Sequence, residues 1–197
     1  MSTHRTTLHR LALPLGLPLL ILLGFGGCFE NSRIARNVGV DHNGGFELGS
    51  PGKPINWNVY HKGLRGKKAE MQLDREDFRE GAQSLKFVVT SCGSKASGEC
   101  PGVFQEVDVE PNSMYRVSYW LKNNQCRFNV NVNSIKEGAP RQGVQVLSEA
   151  GVGEEWAEYS SLCSTKDGET QIRFELNITG PGILWLDGVA LQEVEGN

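Results

Sequence analysis

A regular alternation of apolar and polar residues near the C-terminal end constrains the fold most. In residues 170–178, Ile172, Phe174, Leu176 and Ile178 alternate with polar side chains, and after the turn sequence Gly180-Pro181-Gly182 a more continuously apolar segment follows at 183–191. Alternation with a period of two predicts a strand that is buried on one face. We therefore expect 170–191 to form a hairpin whose apolar face is covered by a second sheet.

The rest of the chain contains more short segments of the strand type. They lie at 46–47, 55–61, 85–89, 103–109, 115–121, 128–132, 144–147 and 156–163, with turn residues between them. Residues 62–83 are charged and rich in turn residues, and we expect Met71, Leu73 and Phe78 to attach this segment to the core. No segment of useful length shows helical periodicity. The sequence therefore predicts an all-β fold, an antiparallel β-sandwich or jelly roll.

The N-terminal segment has the features of an export signal. Arg5 and Arg10 lie in a polar start, and an apolar stretch of signal-peptide length follows at 11–23. The small residues before Cys28 resemble a bacterial lipoprotein lipobox, which implies cleavage after residue 27 and lipidation of Cys28; ordinary signal cleavage, which would leave Cys28 as a spare thiol, is the alternative. Several acyl chains would give stable membrane anchoring. Phe29 rather than Asp after the cysteine favours the outer membrane, so we predict an exported protein of the bacterial cell envelope.

The predicted mature chain divides into a tether and one domain. Residues 28–42 are polar without periodicity and are predicted to be a lipidated tether, and residues 43–197 are predicted to be a single β-sandwich domain with a substantial core. Removing residues 1–27 removes two arginines and no acid, which changes the net charge from −3 to −5. This charge argues against a nucleic-acid or anionic-lipid partner.

Four cysteines remain beside Cys28, and an exported protein permits disulfides. Cys92 and Cys100 flank a flexible loop that suits a local bridge. Cys126 and Cys163 share the parity of apolar residues in or near their strands, which is consistent with a buried cross-strand bridge. Zinc binding is the competing use of four thiols, but no pair has the close spacing of zinc ligands.

An ordered set of motifs across 43–194 resembles the carbohydrate-binding modules of families 4/9 and 22. The matching residues are Asn43-Gly44-Gly45-Phe46-Glu47, Trp57, Glu80-Gly81, Ser84-Leu85, Pro111, Tyr115, Ser118, Trp120, Trp156, Leu186-Asp187-Gly188-Val189 and Leu191. The resemblance implies a galactose-binding-domain-like jelly roll. Many members are appendages of glycoside hydrolases, whereas we expect no attached catalytic domain here, so the resemblance supports the fold more directly than sugar binding.

The same resemblance implies a structural calcium ion. In such modules an acid of the opening turn and the aspartate of the closing strand often hold Ca²⁺, and the corresponding residues here are Glu47 and Asp187. Two carboxylates with backbone carbonyls can satisfy the oxygen coordination of this ion. The alternative is that Asp187 caps a turn and Glu47 is solvated.

We also predict a glycan-binding face from the polar positions of the strands. Sugars bind to aromatic surfaces bordered by amides, arginines and carboxylates. Trp120 lies on the polar phase of its segment and is the predicted stacking platform, whereas Trp57 and Trp156 are predicted to pack in the core or against loops. The predicted hydrogen-bonding residues lie in three rows, which form one face only if their strands share a sheet; they are Arg116, Arg127, Asn129, Asn131, Arg173 and Glu175.

Catalysis is not indicated by any motif. The predicted mature chain has only His42 and His61 as histidines, and it lacks a nucleophile elbow, a metalloprotease helix and a phosphate-binding glycine loop. Paired carboxylates for glycoside hydrolysis depend on the fold and stay open at this stage. We therefore predict a membrane-anchored protein that binds a polysaccharide or envelope glycan without catalysis. The alternative is an envelope protein-interaction or structural module that binds no sugar.

Overall fold

Strands form nearly all the regular structure of the described residues. The computed structural model describes residues 34–37, 42–50, 52–60, 68–92, 101–138, 144–148 and 151–194, which contain no α-helix. The strands are β1 (Ile34–Asn37), β2 (Gly49–Ser50), β3 (Lys53–Pro54), β4 (Asn58–Val59), β5 (Ala69–Asp74), β6 (Ser84–Val89), β7 (Gly102–Asp108), β8 (Met114–Asn124), β9 (Phe128–Lys136), β10 (Val144–Ser148), β11 (Ala157–Ser164), β12 (Glu169–Ile178) and β13 (Gly182–Val194). Within these ranges we found no helix with the length and apolar character required to cross a bilayer.

Two antiparallel sheets form a β-sandwich, which confirms the predicted fold class. The first sheet has the order β11-β8-β13-β6-β5, with β1 also paired to β13, and the second has the order β10-β9-β12-β7-β4. A small separate pair, β2-β3, lies near the start of the domain. The strands β12 and β13 lie in the interior of their respective sheets, so the C-terminal segment contributes to both layers.

The predicted hairpin of residues 170–191 is wrong, because β12 and β13 do not pair. β12 pairs with β7 and β9, whereas β13 pairs with β6 and β8. Their apolar residues therefore meet across the core rather than side by side. The turn between them packs tightly: a Cβ on Gly182, whose φ is +135°, would lie 2.2 Å from the backbone nitrogen of Cys126. Only glycine permits this crossing between the two sheets.

The core consists of the inward side chains of both sheets. In β8, Tyr115, Val117, Tyr119 and Leu121 are buried and alternate with more exposed residues, and Phe174 of β12 contacts Tyr119 with ring centroids 5.1 Å apart. Trp57 is buried as predicted, where its ring packs edge-on against Phe174 and its Nε1 donates to the Asn43 carbonyl at 2.9 Å. This alternation is the physical basis of the two-layer fold.

Two segments differ from the sequence-based predictions. Residues 34–37, inside the predicted tether 28–42, form β1 and pair with β13. Backbone pairing does not require alternating side chains, which explains why the pattern missed this strand. Residues 69–74, inside the segment predicted to be turn-rich, form β5, where Met71 is buried; Phe78 is 40% exposed and does not anchor the segment to the core.

The predicted Cys126–Cys163 disulfide is wrong. Cys163 on β11 is a free thiol whose pKa is raised by burial and by the nearby charge of Glu169. Cys126 is buried, and its Sγ donates to the Gly180 carbonyl at 3.6 Å. Cys92 Sγ similarly donates to the Ile178 carbonyl at 3.8 Å. Its predicted partner, Cys100, lies outside the described residues, so the Cys92–Cys100 bridge stays a prediction.

Candidate functional site

The outward face of the second sheet carries adjacent rows of polar side chains. Backbone pairing places Arg173 between Asn133 of β9 and Glu106 of β7, and it places Glu175 between Asn131 and Phe104. Paired residues of antiparallel strands lie on the same face of a sheet. We define the polar sheet face as the set Tyr60, Phe104, Glu106, Asn129, Asn131, Asn133, Arg173, Glu175 and Asn177.

Arg173 is the centre of this face and is only 6% exposed. Its Nη1 donates to Glu106 Oε1 at 2.8 Å, its Nε donates to Glu175 Oε2 at 3.0 Å, and its Nη2 donates to the Tyr60 hydroxyl. The guanidinium carbon also lies 3.6 Å from the centroid of the Phe104 ring, within cation–π distance. Two carboxylates and one aromatic ring thus fix a buried cation in one orientation.

Two aromatic rings border the cation. Tyr60 follows β4, and its backbone nitrogen donates to the Gly102 carbonyl at 2.9 Å. Its ring lies 5.3 Å from that of Phe104, and a Cβ on Gly102 would lie 3.0 Å from a Tyr60 ring carbon. The absence of a side chain at Gly102 therefore lets Tyr60 lie against the sheet. Tyr60 remains half-buried, so the face includes an aromatic surface beside its polar groups.

Asparagines form the other side of the polar sheet face. Asn177 Nδ2 donates to Asn129 Oδ1 at 3.3 Å across the β12–β9 pair. Asn129 and Asn133 are each 6% exposed, and Asn131 between them is more accessible. The side-chain carbonyl of Asn133 is buried and accepts no hydrogen bond from the described residues. Amides of this kind can both donate to and accept from ligand hydroxyl groups.

The ionisation states of Glu175 and Tyr60 depend on burial and on their contacts with each other and with Arg173. Burial raises the pKa of Glu175, but hydrogen bonds from Tyr60 and the charge of Arg173 outweigh it and hold that pKa below its usual value. Burial, together with the Glu175 hydrogen bond, raises the pKa of Tyr60 to about 12. At neutral pH Glu175 is therefore a carboxylate and Tyr60 a neutral phenol that donates to it. A lowered pKa gives Glu175 no capacity to act as a proton donor near neutral pH.

The structure brings most of the predicted glycan-binding residues together but separates two of them. Asn129, Asn131, Arg173 and Glu175 share the polar sheet face. Arg127, just before β9, lies at the rim, where its Nε would be 2.3 Å from a Cβ on Gly180. This close packing holds Arg127 against the turn between β12 and β13.

Trp120 and Arg116 lie on β8, in the other sheet, so the predicted platform does not share a face with Arg173. The prediction of one face required these strands to share a sheet, and sequence alternation gives the face of a residue but not its sheet. Trp120 points away from the core, and the guanidinium of Arg79 lies 4.2 Å from its ring centroid. The indole is thus stacked with an arginine of the loop between β5 and β6.

Five residues of the polar sheet face were missing from the predicted site: Tyr60, Phe104, Glu106, Asn133 and Asn177. Phe104 and Glu106 lie on the outward phase of β7, and Tyr60 joins them from the edge of the sheet. The available signal was the parity of β7, because Glu106 alternates with the apolar Val107 and Val103. Alternation alone does not identify which strands are neighbours.

The second predicted site, at Glu47 and Asp187, holds the loop of residues 75–83. Asp187 is fully buried; its Oδ2 accepts the backbone N–H groups of Arg79 and Glu80 at 2.8 and 2.9 Å, and its Oδ1 accepts that of Gly188 at 2.8 Å. Glu47 Oε1 accepts the N–H groups of Ala82 at 2.9 Å and Gln83 at 3.4 Å. The two acids therefore fix consecutive parts of one loop through backbone donors.

These contacts do not favour a calcium ion shared by the two acids. The N–H groups that point at the carboxylates carry partial positive charge, and a cation in the same position would meet them unfavourably. The described residues contain no group of three or more acidic, histidine or cysteine side chains arranged to hold a metal. Calcium binding at Glu47 and Asp187 stays a prediction, which a chelator experiment tests.

Burial is the largest influence on the pKa of Asp187. It raises the pKa of this carboxyl to about 6, although the backbone N–H groups of Glu80, Arg79 and Gly188 lower the pKa in part, and the charge of Glu80 raises it further. A buried acid with this pKa titrates in the mildly acidic range. Because it is covered by the loop, it is not accessible to a polymeric substrate.

Comparison with known proteins identifies the fold. The sequence matches no protein-family model and no curated protein. The structure is similar to a xylan-binding CBM22-1 domain from Paenibacillus barcinonensis Xyn10C (TM-score 0.54, 18% identity, covering 78% of this chain and 93% of that one). It is also similar to TmCBM61, solved with β-1,4-galactotriose (TM-score 0.53, 18% identity, covering 80% and 98%).

A third similar structure is the C-terminal family 22 module of Clostridium thermocellum Xyn10B (TM-score 0.52, 10% identity, covering 77% of this chain and 94% of that one). At these identities the similarity concerns the fold. The chain therefore has the jelly-roll β-sandwich fold of carbohydrate-binding modules, as the sequence resemblance implied.

Proposed function

We propose that this chain is a carbohydrate-binding domain that holds a glycan on the polar sheet face. The observation that carries the proposal is the arrangement of Asn131, Glu175 and Phe104 in one row, with Asn133, Arg173 and Glu106 in the next. Together with Tyr60, these rows offer an aromatic ring, carboxylates and amides over three adjacent strands. Glycan binding requires this combination of groups. Similarity to a xylan-binding module and to a module solved with β-1,4-galactotriose supports the same proposal.

Binding to a glycan array and to immobilised polysaccharides tests this proposal. We expect the wild-type domain to bind at least one glycan and Asn131→Ala to weaken that binding about tenfold, because Asn131 is the accessible amide in the centre of the face. Glu158→Ala, an exposed change on β11, provides the matched control and should bind as the wild type does.

The Trp120→Ala variant tests which of the two sheets binds the glycan. Loss of binding in Trp120→Ala with normal binding in Asn131→Ala would place the site on the first sheet and support the stacking platform predicted from sequence. If the wild type binds no glycan on the array, the sugar-binding proposal fails and the protein-interaction or structural module becomes the better account.

We further propose that the domain acts without catalysis. Glycoside hydrolysis uses a carboxylic acid of raised pKa close to a second carboxylate. On the polar sheet face the pKa of Glu175 is lowered, whereas the acid with a raised pKa, Asp187, is buried under a loop in the other sheet. Prolonged incubation with a bound polysaccharide should release no reducing ends; their steady release, abolished in Glu175→Gln, would identify an enzyme.

Anchoring to a membrane through Cys28 is part of the same proposal. The export signal and the lipobox lie outside the described residues, so the support comes from the sequence alone. Expression of the full chain in a bacterial host should place the protein in the membrane fraction with a lipid-modified N-terminal peptide. Cys28→Ala should give unmodified protein; identical fractionation of both forms, with no acyl mass on Cys28 of the wild type, would argue against lipidation.

A further inference from the structure

Asn133 has a buried side-chain carbonyl to which no described residue donates a hydrogen bond. The residue is 6% exposed, lies opposite Arg173 on the polar sheet face, and its Oδ1 accepts no hydrogen bond from the described residues. Leaving a buried acceptor unsatisfied is unfavourable, and most such atoms in folded proteins have a partner. An unsatisfied acceptor inside a row of ligand-type side chains therefore indicates a position where a donor from outside the chain binds.

The one cation in the centre of this face is not available to a ligand anion. All three nitrogens of the Arg173 guanidinium donate within the protein, to Glu106, Glu175 and Tyr60. The planar fork that would bind a carboxylate or sulfate is thus already occupied. Burial lowers the pKa of Arg173, but its carboxylate partners outweigh burial and raise it, so the charge is retained.

Among the described residues, carboxylates outnumber cations in the interior of the face. Glu106 and Glu175 flank Arg173, and Asp108 follows on β7, where it accepts from the side-chain amide of Gln171 at 2.8 Å. Two described cations lie outside this interior: Arg127 packs against the β12–β13 turn, and the Lys136 side chain packs against Gly168. A ligand anion in the interior would meet like charges at low dielectric, which disfavours it strongly.

Sugar hydroxyl groups, unlike anions, form favourable contacts with this surface. A sugar hydroxyl donates one proton, and carboxylate and amide oxygens are good acceptors for it. Hydrogen bonds to ionised acceptors are stronger than neutral ones, so a face of this composition favours a ligand that is rich in donors and carries no charge. The unsatisfied Asn133 Oδ1 lies in the row next to Glu175 and completes such a set of acceptors.

We propose that the polar sheet face selects an uncharged glycan and that Asn133 Oδ1 accepts a hydrogen bond from one of its hydroxyl groups. This inference rests on the glycan-binding function proposed above. It assigns Asn133, a member of the polar row of β9, as a specificity-determining residue. It also assigns Glu106 and Glu175 a second role, in which their charge excludes anionic glycans.

The first experiment compares neutral and charged forms of the same polymer. Linear xylan and β-1,4-galactan, each in its native and carboxymethylated form, are used in affinity electrophoresis with the wild-type domain. We expect binding to a native polymer and at least tenfold weaker binding to its carboxymethylated form. Equal or tighter binding to the carboxymethylated polymer would overturn the inference while leaving glycan binding itself intact. Binding of neither form to the wild type would count against the proposed function instead.

The second experiment uses Asn133→Leu, which is similar in size and removes the unsatisfied amide. We expect this variant to bind the native polymer at least tenfold more weakly, while its melting temperature stays equal to or above that of the wild type, because no protein hydrogen bond to Oδ1 is lost. A purely structural asparagine would give the reverse, a lower melting temperature with unchanged affinity. Asn133→Gln, which retains a carbonyl, should recover part of the binding; wild-type affinity in Asn133→Leu would refute the role of Asn133.

Discussion

Tyr60 and Glu175, which are 115 positions apart in the sequence, share a 2.7 Å hydrogen bond from the phenol to the carboxylate. Arg173, on the same strand as Glu175, donates both to that carboxylate and to the phenol oxygen. The three side chains form a closed set in which each oxygen receives a donor. This set joins the edge of the second sheet to its centre, across β7. It therefore serves the stability of the sandwich as well as the composition of the polar sheet face.

Removing the cation of this set should destabilise the fold. In Arg173→Met the carboxylates of Glu106 and Glu175 stay partly buried without their partner, and we expect a loss of roughly 3 kcal/mol in the free energy of unfolding. Arg116→Met, on an exposed position of β8, is the matched control, with an expected change of about 0.5 kcal/mol or less. Urea denaturation measures both, and equal losses in the two variants would contradict the role assigned to Arg173.

The buried acid Asp187 should give the stability a specific pH dependence. Its pKa of about 6 in the folded state lies above the ordinary value near 4, so between these values the folded protein holds a proton that the unfolded chain releases. The free energy of unfolding contributed by this group therefore decreases as the pH rises from 4 to 6, by up to about 3 kcal/mol. Unfolding free energies of the wild type and Asp187→Asn, measured from pH 4 to 7, should show this slope in their difference. A difference that does not change with pH would show that Asp187 has an ordinary pKa.

Chelation tests the calcium prediction. If Glu47 and Asp187 share a calcium ion, EDTA should lower the melting temperature, excess Ca²⁺ should restore it, and Glu47→Gln should show no such shift. If the two acids accept only the backbone N–H groups of the loop 75–83, EDTA should change the melting temperature by about 1 °C or less, which would contradict the calcium prediction.

The free thiol of Cys163 leads to a prediction about stability. A residue outside any disulfide should be replaceable by serine at a cost of about 1 kcal/mol, whereas removal of a native disulfide costs about 2–5 kcal/mol. We expect Cys163→Ser to unfold at nearly the same urea concentration as the wild type, and we expect alkylation of Cys163 to be slow because burial raises the pKa of its thiol. A loss above 2 kcal/mol, together with protection of Cys163 from alkylation after unfolding without reductant, would indicate a bridge.

The sequence by itself determined the secondary structure class and the face of most residues. In β12 the apolar residues Ile172, Phe174 and Leu176 are buried as their alternation predicts, because period-two patterning reports directly which side of a strand meets the core. The ordered motifs also identified the jelly-roll fold. The pattern failed for β1, which pairs with β13 although its sequence does not alternate, and for β5, which lies in a segment rich in charged and turn residues.

Only the tertiary structure decided which strands are neighbours, and that relationship determines the candidate site. Trp120 and Arg173 both lie on outward phases, yet they belong to different sheets, and β12 and β13 are consecutive strands that never pair. Alternation is a local property of one strand, whereas sheet order depends on which apolar faces pack across the core. For this reason the sequence could identify the polar rows of β9 and β12, but the partnership of Tyr60, Glu106 and Arg173 required the packed sandwich.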